Sequence, residues 1–180
     1  MKKTILGAVL AIAVSVCGTA FGRALVTEGS NEIGISGMLD FASEVGTSSA
    51  LDLRYGYFFA DQWSVGFLGG FSDNDYYTNI RLGVGLEYNF MISDDYRPLI
   101  GTDFVPFIGL GVGAQFADSD EDDEFAGVGS AELGAKFFLS DDCAVVLSAL
   151  GQLATEDIFM NDHKSSSADL SLRLGMRFYF

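Results

Sequence analysis

The feature that most constrains the fold is a run of twelve residues, Asn79 to Phe90, in which apolar and non-apolar side chains alternate without an error. Ile80, Leu82, Val84, Leu86, Tyr88 and Phe90 fall on one side of an extended chain; Asn79, Arg81, Gly83, Gly85, Glu87 and Asn89 fall on the other. Successive side chains of a β-strand point to opposite faces, so a period of two specifies a strand with one apolar face and excludes the 3.6-residue period of a helix. The end of the chain repeats the pattern, with Leu170, Leu172, Leu174, Met176, Phe178 and Phe180 against Asp169, Ser171, Arg173, Gly175, Arg177 and Tyr179. Similar runs cover Asn31 to Phe41, Leu51 to Phe59, Trp63 to Phe71, Phe107 to Phe116, Gly127 to Leu139 and Cys143 to Leu153. In the last of these the phase is the least defined. Eight strands of about ten residues, tilted, are what a bilayer core requires.

Alternation alone does not say which face is wet, because a soluble sandwich shows the same period with its polar face outward. Glycine decides between the two. Gly34, Gly56, Gly66, Gly70, Gly83, Gly85, Gly134 and Gly175 lie on the polar face, where a solvated sheet would favour Thr or Lys over a residue that weakens strands. The interior of an eight-stranded barrel has room only for side chains, so large inward residues must be interleaved with very small ones. Charge agrees with this orientation. By phase the inward set holds the acids Glu32, Asp40, Asp52, Glu87, Glu132 and Asp169 and the bases Arg54, Arg81, Lys136, Arg173 and Arg177, while the outward set carries no charge where the phase is clear. Lone buried charges are costly, so near-balanced opposite charges predict an ion-pair network filling the lumen, and a charge-free outer face is what lipid demands. Tyr57, Phe59, Trp63, Tyr88, Phe90, Phe137, Phe178 and Phe180 would form an aromatic girdle at one membrane interface, and Phe41, Phe71, Tyr76 and Phe116 one at the other.

The first segment reads as an address. Lys2 and Lys3, the apolar run Ile5 to Val16, and the small residues Gly18, Thr19, Ala20, Gly22 and Ala24 form a secretory signal peptide over residues 1–24, with cleavage between 20 and 24 and the barrel domain over 25–180. No run reaches the roughly 20 apolar residues of a membrane-spanning helix. Cys17 would leave with the leader, so Cys143 is expected as a lone thiol and the fold as one held by hydrogen bonds and packing. The excess of acids, 25 against 10 bases, argues against a nucleic-acid partner.

Leu172, Leu174, Met176, Phe178 and Phe180, apolar at every second position and ending in phenylalanine, resemble the C-terminal strand of Gram-negative outer-membrane barrels. Together with the leader and Ile33 to Leu39, the chain resembles the small eight-stranded OmpA/OmpX-type outer-membrane β-barrels over essentially all of its mature length. The resemblance implies an all-β, eight-stranded antiparallel up-and-down transmembrane barrel in the Gram-negative outer membrane. It implies that the last strand is an assembly signal read by the barrel assembly machinery, that outer-membrane lipid and lipopolysaccharide surround the protein, and that it is a monomer. Two points depart from the family pattern. The connection 91–103 is long for a periplasmic turn, and the outer loops 42–50, 72–75, 117–125 and 154–166 are short.

Three constellations could carry chemistry. Gly109, Gly111 and Ala114 mimic a dinucleotide fingerprint, but their period of two and the acidic segment after them fit a strand, whereas the fingerprint needs a helix N-terminus. Asp118, Asp120, Glu121, Asp122, Asp123 and Glu124 crowd into one outer loop; Asp118, Asp120, Asp122 and Glu124 are a weak candidate for a divalent cation, since Asp123 stands where a calcium loop needs glycine. His163, near Ser165 in the last outer loop, offers a base and a nucleophile for a rim enzyme acting on lipid, but nothing beside it would exclude water or stabilise an oxyanion. The sequence therefore predicts a non-enzymatic barrel without cofactors, with a structural or surface-interaction role and a lumen closed by ion pairs. A narrow pore for small solutes is the alternative reading, and a rim enzyme the third.

Overall fold

Each alternating run extends into a strand and pairs with its sequence neighbour. In the computed structural model, which describes residues 26–39, 49–73, 77–90, 104–119, 123–156, 158–161 and 164–180, the strands are β1 (Asn31–Leu39), β2 (Ser49–Ala60), β3 (Trp63–Asp73), β4 (Tyr77–Asn89), β5 (Phe104–Ser119), β6 (Asp123–Ser140), β7 (Cys143–Ala154), β8 (Phe159–Asn161), β9 (Lys164–Ser166) and β10 (Ala168–Tyr179). Eight of them close in the order β1-β10-β7-β6-β5-β4-β3-β2, every pair antiparallel, while β8 and β9 form a separate two-stranded hairpin. The fold is the eight-stranded up-and-down barrel.

Register fixes its dimensions. Following partners once round the wall from Tyr179 through Glu32, Gly56, Gly66, Gly85, Gly111, Ser130 and Gln152 returns to β10 at Asp169, ten residues from the start. Eight strands with that stagger tilt by about 40° and enclose a cylinder about 8 Å in radius at the backbone. Ten residues of such a strand rise about 25 Å along the axis, the height of an outer-membrane apolar band.

The two faces separate as their chemistry requires. Outward residues are apolar and exposed, among them Phe67 at 70%, Leu110 at 61% and Leu133 at 64%; among outward strand positions whose side chains are described, none is charged. Met176 departs from its expected place on the open face, being outward by register yet only 4% exposed. Rings meet at the strand ends, Trp63 tilted against Tyr88 at 4.7 Å, Tyr88 edge-to-face with Phe90 at 4.8 Å and Phe104 tilted against Phe137 at 5.2 Å near the termini, and Phe116 tilted against Phe125 at 4.9 Å at the other end. Phe41 and Tyr76 lie outside the described residues, as do the leader and the connection 91–103.

Several boundaries differ from expectation. β5 begins at Phe104 and runs through Pro106, and both β5 and β6 continue into the acidic segment, pairing Asp118 with Asp123 and Ala117 with Glu124. Backbone pairing needs no lipid, so the ladder outlasts the apolar alternation. The stretch after β7 is not a plain loop: it holds the β8–β9 hairpin, with Ile158 packed on the inward Ala126 and Val128. Cys143 is disulfide-bonded, which corrects the expectation of a lone thiol; Cys17 lies outside the described residues.

Candidate functional site: the barrel lumen

The inward faces of the strands bring the predicted charges into two groups. Near the termini, Glu32 of β1 and Glu87 of β4 meet Arg54 of β2, Lys136 of β6 and Arg177 of β10. Arg54 Nε donates to Glu32 at 2.5 Å, with its Nη2 3.7 Å from Glu87. Lys136 Nζ donates to Glu87 at 2.6 Å and to Glu32 at 3.5 Å. Arg177 Nη1 reaches both oxygens of Glu87, at 2.9 and 2.7 Å, and both of Glu32, at 3.3 Å. Glu32 and Lys136 are wholly buried and Glu87 nearly so. Two carboxylates against three cations leave this group with an excess of one positive charge.

Further from the termini, Asp52 of β2 is shared by Arg81 of β4 at 2.5 Å and Arg173 of β10 at 3.1 Å, a second excess of one. The remaining inward carboxylates described are Glu132, which accepts a hydrogen bond from Ser148 Oγ at 2.6 Å, and Asp169, opposite Gln152. The described lumen thus holds five acids and five bases, so with Glu132 and Asp169 counted its charges balance. Among the described residues Glu132 has no cation within ion-pair distance, so it belongs to the lumen but not to either ion-paired group. Asp40 lies outside the described residues.

Glycine makes room for this arrangement at specific places. A Cβ on Gly56 would lie 2.7 Å from the Glu32 side chain, and one on Gly70 would lie 2.7 Å from Asp52 Oδ1 and 3.2 Å from Arg81 Nη2. Between the two charge groups a cavity of about 70 Å³ remains, walled by Gly83, Gly85, Gly109, Gly111 and Gly113 on one side and by Ser130, Glu132 and Arg173 on the other.

Periodicity reasoning missed the aromatic floor of the site. Lys136 Nζ sits 5.7 Å from the Phe58 ring, 5.3 Å from Phe107 and 5.6 Å from Tyr179, and the Arg177 guanidinium stacks 4.8 Å from Phe107. Such contacts add cation–π attraction to a cation already held by carboxylates. The signal was present, since Phe58 is out of phase with Tyr57 and Phe59 and Phe107 is in phase with Gly109. Ser148 was missed because both faces of β7 are largely apolar.

Gly109 and Gly111 are inward residues of β5. Asp118 and Glu124 belong to β5 and β6, while Asp120 and Asp122 lie outside the described residues; among those described, no cluster of His, Cys, Asp or Glu is arranged to hold a metal. His163 lies outside them too, and Ser165 is in β9. Leu172, Leu174, Phe178 and Phe180 are outward and fully or partly exposed.

No protein-family model matches the chain, and no curated protein matches it. Among solved structures it is similar to the N-terminal β-barrel domain of Pseudomonas aeruginosa OprF, at 18% identity and a TM-score of 0.64, covering 85% of this chain and 98% of that one. The chain has the fold of the eight-stranded outer-membrane β-barrels. It is also similar to the outer-membrane protein OprG from Pseudomonas aeruginosa, at 16% identity and a TM-score of 0.53, covering 88% and 99%. A transmembrane β-barrel designed de novo matches at 12% identity and a TM-score of 0.54, covering 86% and 98%. A designed chain reaching this fold shows that the fold by itself assigns no biological role.

Proposed function

We propose that the chain is an integral outer-membrane protein of a Gram-negative envelope, seated in lipid and lipopolysaccharide as a monomer, with a structural or surface-interaction role and no catalytic activity. The observation that carries this reading is the outer wall, apolar and exposed around the barrel and uncharged wherever its side chains are described. Exposing Phe67, Leu110 and Leu133 to water would be unfavourable by about 25 cal/mol per Å² of apolar surface, whereas acyl chains remove that cost. The paired charges support a lumen closed to ions, since any ion entering would compete with contacts at 2.5 to 3.5 Å already made inside. The leader would route the chain for export, and the outward residues of β10 would serve as the assembly signal.

The test is fractionation followed by gel mobility of unheated and boiled samples, with Trp63 emission in vesicles of brominated lipid. A folded barrel migrates differently when unheated, co-fractionates with the outer membrane and is quenched by bromine. A soluble, heat-indifferent protein with unquenched Trp63 would refute the reading. The narrow-pore alternative draws on the internal cavity of about 70 Å³. It predicts single-channel steps in planar bilayers that grow in Arg81→Ala or Arg173→Ala, and a silent bilayer disposes of it.

A further inference from the structure

Resting on the membrane-barrel reading, we propose that residues 26–30 are a plug: a segment outside the barrel wall that stops the mouth at the termini and makes the lumen a blind chamber. Val26 precedes β1, yet it is 1% exposed and packs with Phe58, Val105, Phe138, Ala144 and Tyr179, inward residues of five different strands. The buried cluster that Val26 joins draws inward residues from five strands, so this side chain lies within the mouth and not along its rim. Its backbone is held there, with Val26 O accepting from Gln62 N at 2.9 Å and Glu28 N donating to Asp61 Oδ1 at 3.0 Å. Gln62, at φ 70, is the turn residue between β2 and β3, so the plug is fastened to a tight turn of the wall.

Gly29 brings the chain across. Its φ of +88 is left-handed, a conformation that side chains other than glycine adopt with strain, and its N–H donates to Phe58 O at 2.8 Å. An added Cβ there would meet nothing within 4 Å, so the glycine serves the turn and not the packing.

Above the plug the filling changes character. Directly over the aromatic floor lie Glu32, Glu87 and Lys136, and none of these three, nor any plug contact, borders the cavity. The cavity begins only at Arg54 and Arg177 and is large enough for several waters. The apolar layer thus separates a hydrated middle from the compartment on the side of the termini. Withdrawing 26–30 breaks the bonds to Gln62, Asp61 and Phe58, whereas parting two strands breaks a whole ladder, so the plug is where this barrel can open with the least disruption.

The test places a thiol just inside the plug, at Ser64, which is fully buried and accepts from Arg54 Nη2 at 3.2 Å. Ser64→Cys in a chain with both native cysteines replaced, Cys17→Ala and Cys143→Ala, is folded into lipid vesicles and treated with a membrane-impermeant methanethiosulfonate, with Asp61→Cys on the exposed turn as the fast reference. With the plug intact, Ser64→Cys reacts at least a hundredfold more slowly than Asp61→Cys. Adding Val26→Gly, or Gly29→Val to strain the turn without touching the wall, raises its rate at least tenfold, while Ile158→Gly at the opposite mouth leaves it unchanged. Gel mobility confirms that each variant is folded, and Gly29→Val decides the matter if Val26→Gly does not fold. A fast Ser64→Cys in the plugged chain, or no acceleration in either folded plug variant, overturns the plug. Unquenched Trp63 in brominated vesicles would instead count against the membrane reading.

Discussion

Charge counting in the inner cluster gives an unusual ranking of two substitutions at one ion pair. Lys136 and Glu87 are partners at 2.6 Å, both essentially without solvent contact. Glu87→Gln removes one of two carboxylates facing three cations, leaving Glu32 against Arg54, Lys136 and Arg177. Removing one side of a buried pair and stranding like charges costs about 3–5 kcal/mol. Lys136→Met instead leaves Glu32 and Glu87 against Arg54 and Arg177, a balanced set in which each carboxylate keeps a cation at 2.5 to 2.9 Å. It loses two charged hydrogen bonds of about 1.5–3 kcal/mol each, but an ammonium no longer has to be buried, which returns several kcal/mol. The methionine chain also stays among Phe58, Phe107 and Tyr179, where a thioether gains about 0.3–1.5 kcal/mol per ring contact. The net change for Lys136→Met is therefore expected within about 1 kcal/mol of zero.

The double substitution sharpens the test. It leaves one carboxylate against two cations, restoring the excess of a single positive charge found in the native cluster. Glu87→Gln in the Lys136→Met background should then cost about 2 kcal/mol less than it does alone. The assay is reversible urea unfolding in lipid vesicles, with the folded fraction read by gel mobility and Trp63 emission. If Lys136→Met destabilises as much as Glu87→Gln, or if the two losses simply add, the charge-excess account of the lumen is wrong.

Three further outcomes follow from the same geometry. Leu110→Arg, at a 61% exposed outward position near mid-wall, should destabilise the barrel in bilayers by about 2–4 kcal/mol, and considerably less in Leu110→Ala, both measured by the same urea titration. Gly70→Ala should lose more stability than Gly69→Ala, because the new Cβ meets Asp52 Oδ1 at 2.7 Å at one site and open space at the other; equal losses would show that the Asp52–Arg81 pair does not depend on that gap. Phe180→Ala, at a 63% exposed terminal residue, should lower outer-membrane yield in cells while leaving refolding into vesicles nearly unchanged, and a parallel loss in both would make Phe180 a stability residue and not an assembly signal.

The wall was readable from sequence where its two faces differ in chemistry. From Asn79 to Asn89 of β4 every outward residue is apolar and every inward one polar or glycine, because lipid on one side and paired charges on the other enforce the contrast. In β7 the contrast fails: Ala144, Val146 and Leu150 are inward and buried while Val145, Leu147 and Ala149 face out, so only pairing to Lys136 and Gly134 across β6 reveals the phase. Beyond the bilayer the lipid constraint lapses, and acids such as Asp118 and Asp123 can pair within the ladder although they look like loop in sequence.

The plug is legible only in three dimensions for a related reason. A wall strand must repeat its chemistry every second residue for its whole length, whereas a stopper needs one apolar side chain at one point, and Val26 is a single residue with no period to betray it. The inner cluster explains why that one residue matters. Five charges held at 2.5 to 3.7 Å with almost no solvent contact gain strength from the low dielectric around them, so excluding water at the mouth and pairing charges behind it are two parts of one device. Val26→Gly should accordingly weaken the coupling between Glu87→Gln and Lys136→Met in the double-mutant cycle, toward the smaller values of solvated pairs. A coupling unchanged by Val26→Gly would mean that the cluster is kept dry by Phe58, Phe107 and Tyr179 alone, and that the segment before β1 merely rests against them.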